Sequence, residues 1–298
     1  MKLSLIPLNR RLKGISLILV ASLFFALMFS VPKLVDAGLN GLQSTFIRYL
    51  SGLLTITPIA FFSASRGGSF KISDWPIIIL RASAGVGGFS CIIYATNHMS
   101  YADAIAISFT DGAFIIVLAS VFLREIVTVK RWVAAIVCIF GAFLIAQPTS
   151  DLLDQIWVEP AAKIAFFGAF VMACEIICIK YLTERVSAPT LLFYTNLIAV
   201  ILSVGPAFVM FDWPPLSDIL FCAFMGPLAI VGQFLFMQGL RSDDLSALVP
   251  YKYSIILFSG VLGIFLFDEL PDLEFLLGAV LIISASIILS RRETLGNK

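Results

Sequence analysis

The run Gly14-Ile-Ser-Leu-Ile-Leu-Val-Ala-Ser-Leu-Phe-Phe-Ala-Leu-Met-Phe-Ser-Val31 contains no charged residue. A helix needs about 20 mainly apolar residues to cross a hydrocarbon core about 30 Å thick, so this run predicts a membrane span. Basic residues precede it, but a signal peptide would have a shorter apolar core and a small-residue cleavage site. We therefore interpret the run as an uncleaved first span.

Similar apolar runs continue to the end of the 298-residue chain, which is 60% hydrophobic and only 13% charged. A soluble domain averages roughly 45–50% apolar and 25% charged residues, so the solvent of this chain is lipid. The connections are too short to hold a soluble domain. The predicted fold class is an all-α integral membrane protein with ten transmembrane helices, at residues 14–35, 41–62, 76–98, 101–123, 131–147, 161–182, 189–211, 216–240, 245–267 and 273–290.

Lysine and arginine are concentrated on alternate connections between these spans. If the N-terminus is cytoplasmic, only Lys33 and Lys163 fall on the outer segments, whereas acidic residues accumulate there. Basic residues flanking spans are retained in the cytoplasm. The sequence therefore predicts that both termini face the cytoplasm, which requires an even number of spans.

The two halves of the chain resemble each other. A shift of 144 residues lays Val121-Phe-Leu-Arg-Glu125 on Phe265-Leu-Phe-Asp-Glu269 without a gap. We expect a first repeat at residues 1–147, a connecting loop at 148–160 and a second repeat at 161–298. Because each half has five spans, the two copies must enter the bilayer in opposite directions, as in the inverted repeats of secondary transporters. The alternative is chance similarity between apolar helices.

Five ionisable residues fall within the predicted spans, and each costs about 2.5–3.5 kcal/mol at the bilayer centre if it is unpaired. We therefore expect them to face one another, water or a ligand in a shared polar cavity. Two alternatives remain open, since one arginine could snorkel to the interface and the other could bond backbone carbonyls as a structural pin. The five residues are Arg48 (the possible pin), Arg81 (the possible snorkelling side chain), Asp111, Glu175 and Lys252.

Lys252 stands in the stretch Pro250-Tyr-Lys-Tyr253. The proline frees a backbone carbonyl one turn earlier, and Tyr251 and Tyr253 offer rings and hydroxyls beside the cation. An interrupted helix of this kind is a candidate ligand site. In span 3, Tyr94 is a further candidate aromatic contact.

Several functional classes find no support in the sequence. There is no Gly-rich phosphate loop followed by Lys-Ser/Thr, no His/Cys/carboxylate cluster at metal-ligand spacing and no Ser/His/Asp set. No basic block suggests nucleic acid. We therefore expect no catalytic residue, no metal and no cofactor. The rival to a transporter is a non-transporting membrane sensor or an intramembrane enzyme with an unrecognised arrangement.

Several motifs together resemble the EamA-type, ten-helix members of the drug/metabolite transporter superfamily. The chain is most similar to a subgroup with S-adenosylmethionine uptake carriers and riboflavin importers, although amino-acid exporters share most of the features. The motifs are Phe46-Ile-Arg48-Tyr49, Ile107-Ser-Phe109 with Phe122-Leu-Arg-Glu125, Lys130-Arg-Trp132 with Gly141, Ala247-Leu-Val-Pro-Tyr-Lys-Tyr253, Phe267-Asp-Glu-Leu-Pro271 and Leu277-Gly-Ala-Val280.

One departure from the family pattern concerns span 4. Family members usually carry a proline after the Ser-Phe pair, whereas this chain has Asp111-Gly112, which puts the usual helix break in doubt although glycine still permits a bend. An acidic residue at that position favours a substrate with a cationic group. We expect Gly112 to act structurally, and Glu125 and Glu269 to have structural or gating roles.

The resemblance implies a secondary transporter of the bacterial inner membrane. The acidic and basic residues within the spans further predict a small zwitterionic substrate, such as an amino acid or an S-adenosylmethionine-like compound. The inverted repeats predict that it is moved by alternating access. Coupling to protons or to an exchange substrate is open. A riboflavin-like or other neutral aromatic substrate is the alternative.

Overall fold

The computed structural model describes residues 8–35, 41–66, 72, 74–99, 101–147, 159–209, 213, 215–268 and 272–295. Within this part of the chain the ordered elements are helices and there is no strand. The helices are α1 (Leu8–Val35), α2 (Gly41–Ser65), α3 (Trp75–His98), α4 (Tyr101–Ser108), α5 (Asp111–Phe122), α6 (Val129–Ala146), α7 (Pro160–Thr183), α8 (Ala188–Val209), α9 (Leu216–Cys222), α10 (Met225–Leu240), α11 (Leu245–Lys252), α12 (Ser254–Phe267) and α13 (Leu273–Leu295).

Three of the spans consist of two short helices in sequence: α4 with α5, α9 with α10, and α11 with α12. Among the described residues, eight segments are long and apolar enough to cross a membrane, and two further apolar helices, at residues 111–122 and 273–288, are shorter. The helix at residues 111–122 is α5, and α4 precedes it in the same span. The predicted all-α integral membrane fold with ten transmembrane helices in two inverted five-helix repeats is confirmed.

The closest helix packing joins one half of the chain to the other. The four most extensive contacts are α3 with α7, α1 with α10, α6 with α13 and α2 with α8. Counted as spans, these are 3 with 6, 1 with 8, 5 with 10 and 2 with 7. Exchanging the two halves converts the first pair into the second and leaves the other two unchanged, so the packing follows a pseudo-two-fold axis.

Glycines allow these inter-repeat pairs to approach closely. A Cβ on Gly141 of α6 would lie 2.8 Å from the carbonyl oxygen of Gly278 on α13. On the α3–α7 pair, a Cβ on Gly168 would lie 2.7 Å from Cys91 Cβ, and one on Gly88 would lie 2.8 Å from Met172 Cγ. Small residues have this packing role at helix interfaces in membranes, where no hydrophobic effect drives association.

The repeat is visible in the backbone as well as in the packing. The 144-residue shift lays α4 on α11 from first residue to last. It also lays Arg124 on Asp268, and both have a left-handed backbone, with φ of 55° and 52°. A left-handed residue is uncommon outside glycine and here ends each fourth span at the same point. The alignment based on the sequence around Glu125 is therefore also an alignment of structure.

Candidate functional site

The interruptions of the fourth and ninth spans lie against each other. The chain turns at residues 109–110 between α4 and α5, and at Tyr253 between α11 and α12. The Tyr253 hydroxyl donates a 2.6 Å hydrogen bond to the carbonyl oxygen of Phe109, and the two rings meet edge to face with centroids 6.1 Å apart. Phe109 and Tyr253 are 144 residues apart, so equivalent positions of the two repeats meet at the pseudo-two-fold axis.

The first of these breaks forms without a proline. α5 restarts at Asp111, and Gly112 follows it with no side chain. A Cβ on Gly112 would collide with the Tyr253 hydroxyl and lie 3.0 Å from Tyr253 Cζ. The absence of a side chain at Gly112 therefore allows Tyr253 of the second interrupted span to approach closely. In that helix Pro250 lies in the last turn of α11, just before the break.

An ion pair joins the two broken helices across the repeats. Lys252 Nζ donates to Asp111 Oδ2, and the side chains are 28% and 8% exposed, respectively. Each residue lies within two positions of a helix interruption, on opposite halves of the chain. Asp111 and Lys252, which the sequence predicts to line a cavity, thus neutralise each other's charge in this conformation.

Arg81 lies fully buried in α3. Its Nη1 donates to Thr195 Oγ1 of α8 at 3.0 Å, and its Nη2 donates to Gln233 Oε1 of α10 at 3.5 Å. Snorkelling to the interface is therefore excluded, because the guanidinium is directed into the second repeat. The two acceptors are neutral and leave the charge of Arg81 uncompensated at contact distance.

Glu175 approaches the same helix one turn further along. A Cβ on Gly85 of α3 would lie 3.1 Å from Glu175 Oε1 and 3.0 Å from the Tyr49 hydroxyl. Arg48 lies with its guanidinium carbon 4.6 Å from the centre of the Tyr49 ring. Glu175 interacts electrostatically with Arg81, Arg48 and Lys252. Arg48, Arg81 and Glu175 therefore lie near one another between the repeats. Lys252, which bonds Asp111, lies within electrostatic range of Glu175, and these five residues are hereafter called the network.

The predicted tyrosines separate into two groups. Tyr253 lies where the two helix breaks meet, whereas the Tyr251 hydroxyl donates to the Ser286 carbonyl oxygen of α13 at 3.0 Å. Tyr94 is 41% exposed and stacks on His98 at 4.0 Å. The Tyr251 hydroxyl is thus directed at α13, and the Tyr94 ring at His98. Sequence reasoning did not name Tyr49, Thr195 or Gln233 as site residues. Tyr49 does stand in the motif Phe46-Ile-Arg48-Tyr49, whereas the only signal at Thr195 and Gln233 is polarity within otherwise apolar spans.

The end of the molecule where α1 begins is hereafter the N-terminal face. Glu125 lies there, and its two carboxylate oxygens accept hydrogen bonds from the backbone N–H groups of Leu245 at 2.6 Å and Ser246 at 2.9 Å. A carboxylate at this point caps the free N–H groups of α11 and complements its dipole. The equivalent residue of the second repeat, Glu269, lies outside the described residues.

Charged side chains from both halves surround residues 240–246 on the N-terminal face. Arg11 of α1 pairs with Asp243 at 3.1 Å, and Arg131 of α6 pairs with Asp244 at 3.0 Å. Lys180 of α7 donates to the carbonyl oxygens of Leu240 at 2.5 Å and Asp243 at 2.9 Å. Burial raises the pKa of the Asp243 carboxyl and outweighs the opposing effects of the Asp244 N–H and Arg11. These contacts join the two repeats on the N-terminal face.

The chain matches the EamA-like transporter family twice, over residues 12–147 and 160–291. A solved crystal structure superposes with a TM-score of 0.77 at 15% identity, covering 94% of this chain and 97% of the other, which supports the fold alone.

Three curated bacterial relatives are transporters with different named substrates. The S-adenosylmethionine uptake transporter of Rickettsia bellii is 26% identical and covers 90% of each chain. The pseudopaline exporter of Pseudomonas aeruginosa is 24% identical, covering 94% of this chain and 96% of its own length. The riboflavin transporter of Brucella anthropi is 24% identical, covering 86% and 90%. With two family matches spanning almost all of the chain, one on each five-helix half, this protein belongs to the EamA-like transporter family.

Proposed function

We propose that the protein carries a small zwitterionic metabolite, such as an amino acid or an S-adenosylmethionine-like compound, by alternating access. The observation that carries this proposal is the meeting of opposite charges from both repeats at the two helix breaks, where Lys252 bonds Asp111. Interrupted helices near the bilayer midplane are typical of substrate sites in transporters with inverted repeats. Intramembrane charges are otherwise too costly to maintain.

In this proposal the acidic residues bind the cationic group of the substrate, and the basic residues bind its anionic group. Asp111 and Glu175 receive an ammonium or sulfonium group, whereas Lys252 and Arg81 receive a carboxylate. Tyr253, which lies against both breaks, supplies an aromatic contact. Arg48, Gly112 and Pro250 shape the site. Tyr251 and Tyr94 contact other groups in this conformation, and we assign them no contact with the substrate.

The two repeats move relative to each other while the site stays between them. The two moving repeats are residues 1–147 and 161–298, joined by a connecting loop at residues 148–160. Both termini lie in the cytoplasm of a bacterial cell, and the protein resides in its inner membrane. The bonds around residues 240–246 then belong to the cytoplasmic side, and opening that side requires Arg11 and Asp243 to separate.

Transport into proteoliposomes tests the proposal. The purified chain is reconstituted and offered radiolabelled S-adenosylmethionine, methionine, glutamate, glutamine and riboflavin, with and without the same compound inside. We expect uptake or exchange of at least one zwitterion, and a severe loss in the Asp111→Asn variant. Uptake of riboflavin alone would favour a neutral aromatic substrate, and absence of flux for every compound, with correctly folded protein, would contradict the proposal.

An imposed pH gradient, acidic outside, decides whether protons are coupled. Proton-driven uptake would accumulate the substrate above its external concentration and would collapse with a protonophore. Uptake that is indifferent to the gradient but is stimulated by internal substrate would indicate exchange.

A further inference from the structure

The charges of the site do not balance once the Asp111–Lys252 pair is set aside. Lys252 and Asp111 neutralise each other by direct contact. Three charged groups remain in the network, namely the guanidinium groups of Arg48 and Arg81 and the carboxylate of Glu175. Two cations therefore face one anion between the repeats.

Arg48 and Arg81 retain N–H donors that no group among the described residues uses. Arg81 is fully buried, and its two bonds at Nη1 and Nη2 go to the neutral side chains of Thr195 and Gln233. The Nε–H groups of Arg81 and Arg48 have no hydrogen-bond partner among the described residues. No described carboxylate forms an ion pair with either guanidinium. A buried guanidinium with an unused donor is costly, unless an anion supplied by a ligand completes it.

The single carboxylate lies about one helical turn from Arg81. Gly85 follows Arg81 by four residues on α3, and a Cβ there would lie 3.1 Å from Glu175 Oε1. Residues four apart lie on the same face of a helix, about 5–6 Å apart. Glu175 thus faces the same stripe of α3 as Arg81 without bonding it, which leaves positions for both an anionic and a cationic ligand group.

From this imbalance we infer that the site selects compounds with one more negative than positive group, such as an amino acid with a second carboxylate. One carboxylate binds the unused donors of Arg81, the ammonium binds Glu175, and the additional negative charge compensates the second guanidinium, Arg48. The inference rests on the proposed function and narrows its substrate class. A compound of net positive charge would leave additional uncompensated cations between the repeats.

The reaction of a cysteine thiol with charged reagents tests the sign of the net charge of the site independently of transport. Cys178 follows Glu175 by three residues on α7, which places it on the same face of the helix and within electrostatic range of Arg81. A full-length variant retaining Cys178, with the other four cysteines replaced by alanine, is treated with anionic sulfonatoethyl, cationic trimethylammonium-ethyl and neutral methyl methanethiosulfonate. The ratio of the anionic to the cationic rate cancels differences in thiol reactivity.

We expect the anionic reagent to react several-fold faster than the cationic one. Arg48→Gln and Arg81→Gln should move the ratio toward one, Glu175→Gln should raise it, and Arg81→Lys, which keeps the charge, should preserve it. Size-exclusion profiles identify variants that fail to fold, and the remaining variants still decide the outcome. A ratio of one or below in the parent would overturn the inference, as would failure of all three reagents to reach Cys178.

The substrate panel supplies the second readout. Among the compounds that enter proteoliposomes, glutamate should compete better than glutamine, and a reversed order would overturn the inference. Absence of all flux with an anion-selective thiol ratio would contradict only the proposed function. Flux with a cation-selective ratio would contradict only the charge preference.

Discussion

Asp111 and Lys252 bond each other across the repeats, and both lie beside a helix break. Breaking a fully buried ion pair by removing one partner costs about 3–5 kcal/mol, because the other charge remains without compensation. The Lys252 side chain is 28% exposed, so the cost here lies below that range. The pair is therefore a stabilising contact of this conformation as well as a candidate ligand contact.

We predict that Asp111→Asn lowers the stability of the protein in detergent more than the double change Asp111→Asn with Lys252→Gln does. The double variant removes both charges, so no cation remains unpaired. Thermal unfolding of the parent, both single variants and the double variant gives the interaction energy as a cycle. Additive losses would show that the two side chains do not stabilise each other.

A second residue-scale prediction concerns Asp243. Burial raises the pKa of its carboxyl despite Arg11 at 3.1 Å. The folded protein therefore holds the Asp243 proton more tightly than the unfolded chain does. The stabilisation that this proton provides is complete below the ordinary carboxyl pKa and is lost as the pH rises through the raised pKa of the folded protein. Melting temperatures of the parent should fall relative to Asp243→Asn across that window. If the parent instead gains stability relative to Asp243→Asn as the pH rises, the raised pKa of Asp243 is contradicted.

The charged residues of the site could be identified from sequence because an ionised group in lipid is too costly to be incidental. Thr195 and Gln233 could not, since neutral polar side chains also occur in spans as ordinary helix–helix bonds. The direction of Tyr251 depends on the rotation of α11, which places its hydroxyl on α13 while Tyr253 reaches the axis. Residue type indicated the chemistry, but only packing decided which tyrosine belongs to the site.

At the scale of elements, the N-terminus of α11 is held by a side chain of the other repeat. We predict that Glu125→Ala speeds amide hydrogen exchange at Leu245 and Ser246 by about tenfold, because a lost cap costs about 0.5–2 kcal/mol and 1.4 kcal/mol corresponds to a factor of ten. Exchange followed by mass spectrometry measures this. Glu184→Ala is the control, since that carboxylate is 59% exposed and pairs with Lys180 on the same face. Equal exchange in both variants would contradict the capping role.

The contact between the two broken helices gives a further prediction. Gly112→Ala would place a methyl group against the Tyr253 hydroxyl, whereas Tyr253→Phe removes that oxygen and its bond to Phe109. Contacting residues interact energetically, so the double variant should lose less stability than the sum of the two single losses. Strict additivity in thermal unfolding would show that the two positions do not touch.

The positions of the spans followed from sequence because the thickness of the bilayer fixes the length of an apolar run. The sequence alone does not fix the break after Ser108, since Asp111-Gly112 stands where family members usually carry a proline. The structure shows that the partner helix determines it: Tyr253 of the second break bonds the Phe109 carbonyl, which α4 and α5 leave free. A local sequence signal cannot include a contact 144 residues away.

At the scale of the whole molecule, every major helix pair joins one repeat to the other. The pairing of α6 with α13 through Gly141 and Gly278 lies on the pseudo-two-fold axis, as does α2 with α8, while α3 with α7 and α1 with α10 exchange under it. A rocking motion of the repeats can therefore interchange the environments of the last two pairs. In the conformation described here, bonds to residues 240–246 join the two repeats on the N-terminal face.

The most direct test of alternating access is transport by a protein whose N-terminal face is held shut. Arg11→Cys and Asp243→Cys are combined in a cysteine-free background, since the side chains of Arg11 and Asp243 meet at 3.1 Å. The two thiols are joined by a short bis-methanethiosulfonate, which forms a disulfide with each cysteine and releases methanesulfinate, so that a thiol reductant can cleave the link. We predict that cross-linked protein in proteoliposomes ceases to transport and recovers on reduction, while each single-cysteine variant treated in the same way remains active. Undiminished flux through fully cross-linked protein would contradict the account.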